Sequence, residues 1–161
     1  RRVTGTLDLD TGDGSVRIVE ASGSIVARTG DGDVIGQKLD GRAEIRTGDG
    51  VVGLDGVFTA LAIETRDGAV EVTARRGSRA DGEWDLTTGD GDIRIEVPEG
   101  FGAEVDARTA DGRVRIDSIT RARGENRDDH DDAESVIGRL GGGGKPLRLR
   151  TSSGSITVKL R

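Results

Sequence analysis

Six aspartates recur one residue ahead of a glycine: Asp13, Asp31, Asp49, Asp67, Asp90 and Asp111. Carboxylates stacked one above another repel, and a hard cation such as calcium would relieve that repulsion. Calcium-binding nonapeptide β-rolls, however, have two such turns per coil and place the Asp after the second Gly. Here there is one turn per 18 residues, the Asp precedes the second Gly, and the next apolar residue comes too early. The expected role of these aspartates is therefore to form turns, since Asp bonds its own backbone and Gly supplies positive φ. Arg17, Arg28, Arg46, Arg94, Arg108 and Arg115 lie nearby in sequence and are expected to compensate the charge.

The remaining reactive types lead to no constellation. A threonine column, Thr11, Thr29, Thr47, Thr65, Thr88, Thr109 and Thr151, invites comparison with ice-binding ladders. Its parity matches the apolar columns, so its methyl should pack at the core edge while its hydroxyl caps a turn N–H. His130 is the only histidine, set between Asp129 and Asp131, and the chain has no cysteine. One His without a second or a thiolate builds neither a zinc site nor a Ser-His-Asp arrangement, and a solvated loop position is expected for it. Paired carboxylates could serve a glycosidase or lyase, as on other β-helices. That chemistry needs a cleft and usually aromatic sugar platforms, and one Trp and two Phe are few. The Gly-rich steps precede no helix and no Gly-Lys-Ser/Thr follows, so they are not phosphate loops. No catalytic, cofactor-binding or metal-binding residue is assigned.

The elements that carry these residues are read from the repeat. Gaps between successive threonine anchors are 18, 18, 18, 23, 21 and 42 residues. Three residues after each anchor stands a Gly, and five after it a Val or Ile: Val16, Val34, Val52, Val70, Ile93, Val114 and Ile156. Four residues before it stand Leu7, Ile25, Ala43, Leu61, Trp84, Val105 and Leu147. Alternation with period 2 on both sides of an Asp-Gly or Ser-Gly turn predicts strand, tight turn, strand. Seven columns held in register favour stacking over a meander, because stacked levels select the same residue type at roughly 4.8 Å spacing. The expected fold is all-β: a single-domain, parallel β-helix-like solenoid over residues 1–161, of about seven coils. Right-handed winding is expected because the six-residue period of left-handed coils is absent. A sheet of antiparallel β-hairpin repeats is the alternative.

Composition agrees with a thin core. Apolar residues make up 32% and charged residues 34%, yet the charges alternate with Val, Ile and Leu, a pattern that disordered chains lack. The net charge of −6 argues against nucleic acid and against a polybasic membrane-surface patch. No stretch approaches the roughly 20 apolar residues of a membrane span, so no direct membrane insertion is expected in this segment. With no Met even at position 1, the chain reads as a fragment or processed form whose signal or anchor could lie upstream.

Three stretches break the rhythm. Arg75 to Glu83 lengthens one turn and groups Arg75, Arg76 and Arg79; Pro98 to Gly102 forms a turn whose Phe101 should fold over the stack. The long insertion at about 119–145, with the acidic run around His130 and Gly141 to Gly144, is expected to be a solvated, mobile loop.

Four motifs carry a family resemblance: Thr11-Gly-Asp-Gly-Ser-Val16, Thr29-Gly-Asp-Gly-Asp-Val34, Thr88-Gly-Asp-Gly-Asp-Ile93 and Thr151-Ser-Ser-Gly-Ser-Ile156. With the step Ile95-Glu-Val-Pro98, they resemble the adhesin-like β-repeat domains of unknown function in envelope-associated bacterial proteins. The resemblance covers nearly the whole chain outside 119–145 and implies a β-helical fold and an extracytoplasmic, cell-envelope location. It offers no catalytic residues to carry over. The expected function is a non-enzymatic interaction or scaffold module whose partner is an envelope protein or glycan, or another copy of itself. A self-assembling structural solenoid and a carbohydrate-active β-helix enzyme are the alternatives.

Overall fold

In the computed structural model, residues 3–117, 119–121 and 134–161 are described. Fourteen strands join in one sheet, and no helix occurs among the described residues. The Val/Ile/Leu alternation builds two ladders of parallel strands that share one core. In the first, β1 (Val3–Asp13) pairs with β3 (Ala21–Asp31), and β3 with the later part of β4 (Val34–Asp49). That part of β4 pairs with the later part of β5 (Val52–Asp67), and β5 with β7 (Trp84–Asp90). In the second, β2 (Val16–Val19) pairs with the start of β4, then follow the start of β5, β6 (Val70–Ala74) and β8 (Ile93–Val97). Parallel pairing throughout both ladders excludes the hairpin-repeat alternative for them.

The order of the rungs then departs from the order of the chain. β13 (Pro146–Ser153) lies between β7 and β9 (Ala103–Asp111), with Leu147 opposite both Trp84 and Val105. β14 (Ile156–Leu160) likewise lies between β8 and β10 (Val114–Ile116). The last strand–turn–strand unit is an interior rung, inserted ahead of the unit that precedes it in sequence.

A second correction concerns the insertion at about 119–145. β11 (Ile119–Arg121) and β12 (Glu134–Leu140) lie within it, so it is not all loop. β12 runs antiparallel along the outer edge of β9, and β11 runs antiparallel to β12. Val136 and Leu140 are buried, with Val136 opposite Ala107 and Leu140 opposite Ala103. That burial of apolar side chains and pairing of the β9 edge is what orders the strand. His130 and the acidic run around it lie outside the described residues.

The inward columns are the core. Ile25, Ala43, Leu61, Trp84, Leu147 and Val105 are each at most 1% exposed, and they stand in register. Gly36 interrupts another column, and Leu39 fills the gap: a Cβ on Gly36 would come within 2.6 Å of Leu39 Cδ1. Lys38 takes a left-handed φ of 54°, and the pairing register shifts between Gly36 and Leu39, which brings Leu39 inward. Phe101 is buried beside Trp84, ring centroids 4.9 Å apart, and Phe58 also meets Trp84 edge-on at 6.3 Å. Phe101 therefore packs within the core, where edge-on contacts complement the ring charge distributions.

Candidate interaction surfaces

The turn motif is a structural device, and its parts are visible. Thr29, Thr47, Thr65, Thr88, Thr109 and Thr151 are buried. Their hydroxyls donate to carbonyls, not accept from a turn N–H as the sequence led us to expect. Thr29 donates to Gly14 O at 3.2 Å, Thr47 to Gly32 O at 3.1 Å and Thr88 to Gly68 O at 3.0 Å. Thr151 donates to Gly91 O at 3.0 Å and Thr109 to Gly154 O at 2.8 Å, following the spatial and not the sequence order of rungs. Thr11, on the end rung, bonds only within its own strand, to Asp13 O at 3.3 Å. The turn glycines are needed twice over. Gly50 has φ 138°, and a Cβ there would run into the carbonyl of Gly32 on the neighbouring rung.

The turn aspartates stand in register, Asp13, Asp31, Asp49, Asp67 and Asp90, with Ser153 between Asp90 and Asp111. All are exposed, and among the described residues no group of three or more His, Cys, Asp or Glu is placed to hold a metal. A different pair of aspartates does the bridging, one that the sequence reading passed over. Asp33 Oδ1 accepts from Val51 N at 2.8 Å, and Asp92 Oδ1 accepts from Ser155 N at 2.7 Å. The signal was present: these are the second aspartates of the two Gly-Asp-Gly-Asp motifs.

Four of the six arginines expected to offset the turn aspartates, Arg28, Arg46, Arg94 and Arg108, pair elsewhere. On the outer face of the first ladder, Arg28 reaches Asp8 at 3.5 Å and Glu44 at 3.8 Å. Arg46 reaches Glu44 at 3.5 Å and Glu64 at 3.7 Å, and Arg108 reaches Asp106 at 2.6 Å. On the second ladder Arg94 reaches Glu71 at 3.3 Å. The reason is parity: these outward side chains meet outward side chains two residues away on the same strand or on adjacent rungs, whereas the turn aspartates lie around the corner. Each exposed pair contributes about 0–1 kcal/mol, so these arrays shape the surface more than they stabilise it.

The lengthened turn does not gather its arginines into a site. Arg75 Nε binds Asp55 Oδ1 at 2.6 Å, while Arg76 and Arg79 are exposed. Ser78 is the buried residue of that turn, and its Oγ accepts from Phe58 N at 3.0 Å, replacing a ladder bond where no strand lies alongside. Beside it is an open notch of about 410 Å³ between Glu20, Lys38, Asp40 and Arg75. Lys38 Nζ and Glu20 Oε1 form an ion pair at 2.9 Å across it, and both residues have left-handed φ, 54° and 59°. The notch presents bound charges and no nucleophile–base pair.

A family model described as Toastrack DUF4097 matches residues 35–159. No curated protein and no solved structure matches the chain. The matched family is one of unknown function, and the adhesin label expected from the Thr-Gly-Asp-Gly motifs gains no support from it. Among the described residues no helix is long and apolar enough to cross a membrane.

Proposed function

This chain belongs to the Toastrack DUF4097 family, and from that premise we propose that it is a non-enzymatic interaction or scaffold module of the bacterial cell envelope. The two ladders are taken as faces of a seven-coil solenoid. Its right-handed winding follows the strong preference of parallel strand connections within one sheet. The observation that carries the functional reading is the outer face of the first ladder. There Asp8, Arg28, Glu44, Arg46 and Glu64 form one continuous ion-paired row on strands fixed by the core. Such a row is exposed and charged, on strands whose inward faces are buried. It suits recognition of a complementary surface, where charge pattern sets specificity and approach rate more than affinity. The resemblance to envelope-associated domains supports the location, and the partner would be an envelope protein or glycan.

The experiment is capture of envelope, membrane and soluble bacterial fractions on the purified chain, beside an Arg28→Glu/Arg46→Glu variant and a chain lacking 122–133. Saturable binding to an envelope fraction, lost in the arginine variant and weakened by added salt, is the expected result. Binding that ignores the arginine change but disappears with 122–133 would move the site to that segment. No envelope binding by the intact chain would sink the reading.

A further inference from the structure

Each turn of the stack hands one N–H to the next turn. Gly14 N donates to Asp31 O at 2.8 Å, Gly32 N to Asp49 O at 2.7 Å, Gly50 N to Asp67 O at 2.9 Å and Gly68 N to Asp90 O at 2.8 Å. The series continues through the inserted rung, from Gly91 N to Ser153 O and from Gly154 N to Asp111 O, both at 2.8 Å. All these bonds point the same way along the stack. The rung of Asp111 receives the last of them, and Gly112 N has no hydrogen-bond partner among the described residues. The other six turn glycines share a φ of 120–143°, and Gly112 alone stands outside that range. β12 pairs with β9 from Ala103 to Thr109, a register that does not include this turn.

That bond bears on the chemistry of the Asp-Gly step. Glycine has no side chain to hinder its own nitrogen. The Gly nitrogen attacks Cγ of the preceding Asp, a C–N bond forms and one water leaves, giving a five-membered succinimide. Water then opens the ring at either carbonyl. Opening at one restores aspartate; opening at the other leaves isoaspartate, with the backbone running through the side-chain carbon. One water leaves and one enters, so no oxidant, reductant or cofactor is needed. The nitrogen can attack only when its N–H is free of an acceptor and the turn can swing the carboxyl group toward it. A turn pinned by an inter-rung bond denies both.

We propose that Asp111 is a site of spontaneous isoaspartate formation, and that the inter-rung bonds shield the other aspartates of its column. The proposal goes beyond the interaction-module reading and does not depend on it. Asp111 is exposed, so water reaches the ring that would form there. The Asp-Gly steps outside the column are closed for separate reasons. After Asp81, Gly82 N donates to Thr59 O at 3.0 Å. After Asp40, Gly41 lies between Gly23 and Phe58; after Asp55, Gly56 lies between Leu39 and Ala74, with a paired strand on each side. The site is a consequence of the inserted rung. Stacking in chain order would leave the last turn to Ser153-Gly154, which has no carboxylate, and would cover Asp111.

The test incubates the intact chain in water enriched in heavy oxygen, at neutral pH and below its melting temperature. Ring opening leaves a heavy oxygen in the product, and a protease that cuts before aspartate does not cut before isoaspartate. Peptide mapping then reads each step separately. Isoaspartate at position 111 is expected to exceed that at Asp13, Asp31, Asp49, Asp67 or Asp90 by on the order of tenfold or more, since those turns must first open locally. In urea the six steps should converge, because the rungs that distinguish them are gone. Ser153→Asp adds an Asp-Gly step on an interior rung, where Gly154 N is already engaged, and position 153 should stay unmodified while Asp111 reacts. Equal rates at Asp111 and the other five in the folded chain, no isoaspartate at 111, a lead for Asp111 that survives urea, or reaction at position 153 of the variant as fast as at 111 would each overturn the proposal.

Discussion

Leu147 and Leu7 occupy the same column, four residues before their threonine anchors. If the units stacked in chain order, Leu147 would lie on a terminal rung and behave like Leu7. In the structure Leu147 is 0% exposed between Trp84 and Val105, while Leu7 is only partly buried. Leu147→Ala should therefore carry the full cost of an interior cavity, about 2–5 kcal/mol. For a chain of this size each kcal/mol lowers the melting temperature by about 2–4 °C, so the drop should be on the order of 4–20 °C. Leu7→Ala should cost about 1–2 kcal/mol, since its side chain has less apolar area to lose. Trp84 is the only tryptophan, so its emission reports the same contact: a red shift is expected in Leu147→Ala and none in Leu7→Ala. Thermal melts by circular dichroism, with fluorescence on the same samples, give both readings. Equal destabilisation by the two variants, with unmoved emission, would refute the inserted rung.

Three further outcomes test the turn and the columns. Thr88→Val keeps shape and strand preference but removes the bond to Gly68 O, and should cost about 1–2 kcal/mol in urea unfolding; Thr11→Val, with no inter-rung bond to lose, should change little. Gly14→Ala and Gly50→Ala share the strain of positive φ, about 1–3 kcal/mol, but only Gly50→Ala also meets a carbonyl, so its midpoint should fall further, and equal shifts would remove the stacking role given to these glycines. Val52→Asp buries an unpaired carboxylate at a position with 0% exposure, and loss of the cooperative melt is expected; an unchanged melting temperature would mean the column assignment is wrong.

Much of the rung itself was legible in the sequence, because period-2 alternation and the Asp-Gly step act within a few residues. Trp84, Leu61 and Val105 could be assigned to one column before any coordinates, and their registers agree. The order of rungs was not legible for a physical reason: column identity says what kind of neighbour a residue has, not which one. Leu147 fits between Trp84 and Val105 as well as it would fit outside Val105, and only the three-dimensional path of the chain decides. β12 was missed although Val136, Gly138 and Leu140 keep strand parity, because the acidic run before them and Gly141 to Gly144 after them dominate the local composition. On the charged faces the arginines were recognised, but their partners depend on inter-rung register. That is why Arg28 meets Asp8 and Glu44 and not the turn carboxylates.

The inserted rung also orders assembly of the fold. The threonine bonds of the first rungs span 15 residues in the chain, as from Thr29 to Gly14 and from Thr47 to Gly32. Those that seat the last unit span 60 residues, from Thr151 to Gly91, and 45 residues, from Thr109 to Gly154. Loop closure must precede the reward of such contacts, so the early rungs can form from local encounters while β13 and β14 depend on distant ones. Until β13 is seated, β9 has no pairing partner on its inner edge, and Trp84 has no Leu147 above it. Once seated, β13 is held from both sides, by β7 and by β9, and β9 is in turn covered by β12. The contacts that must wait longest for the chain are thus those where chain order and spatial order disagree.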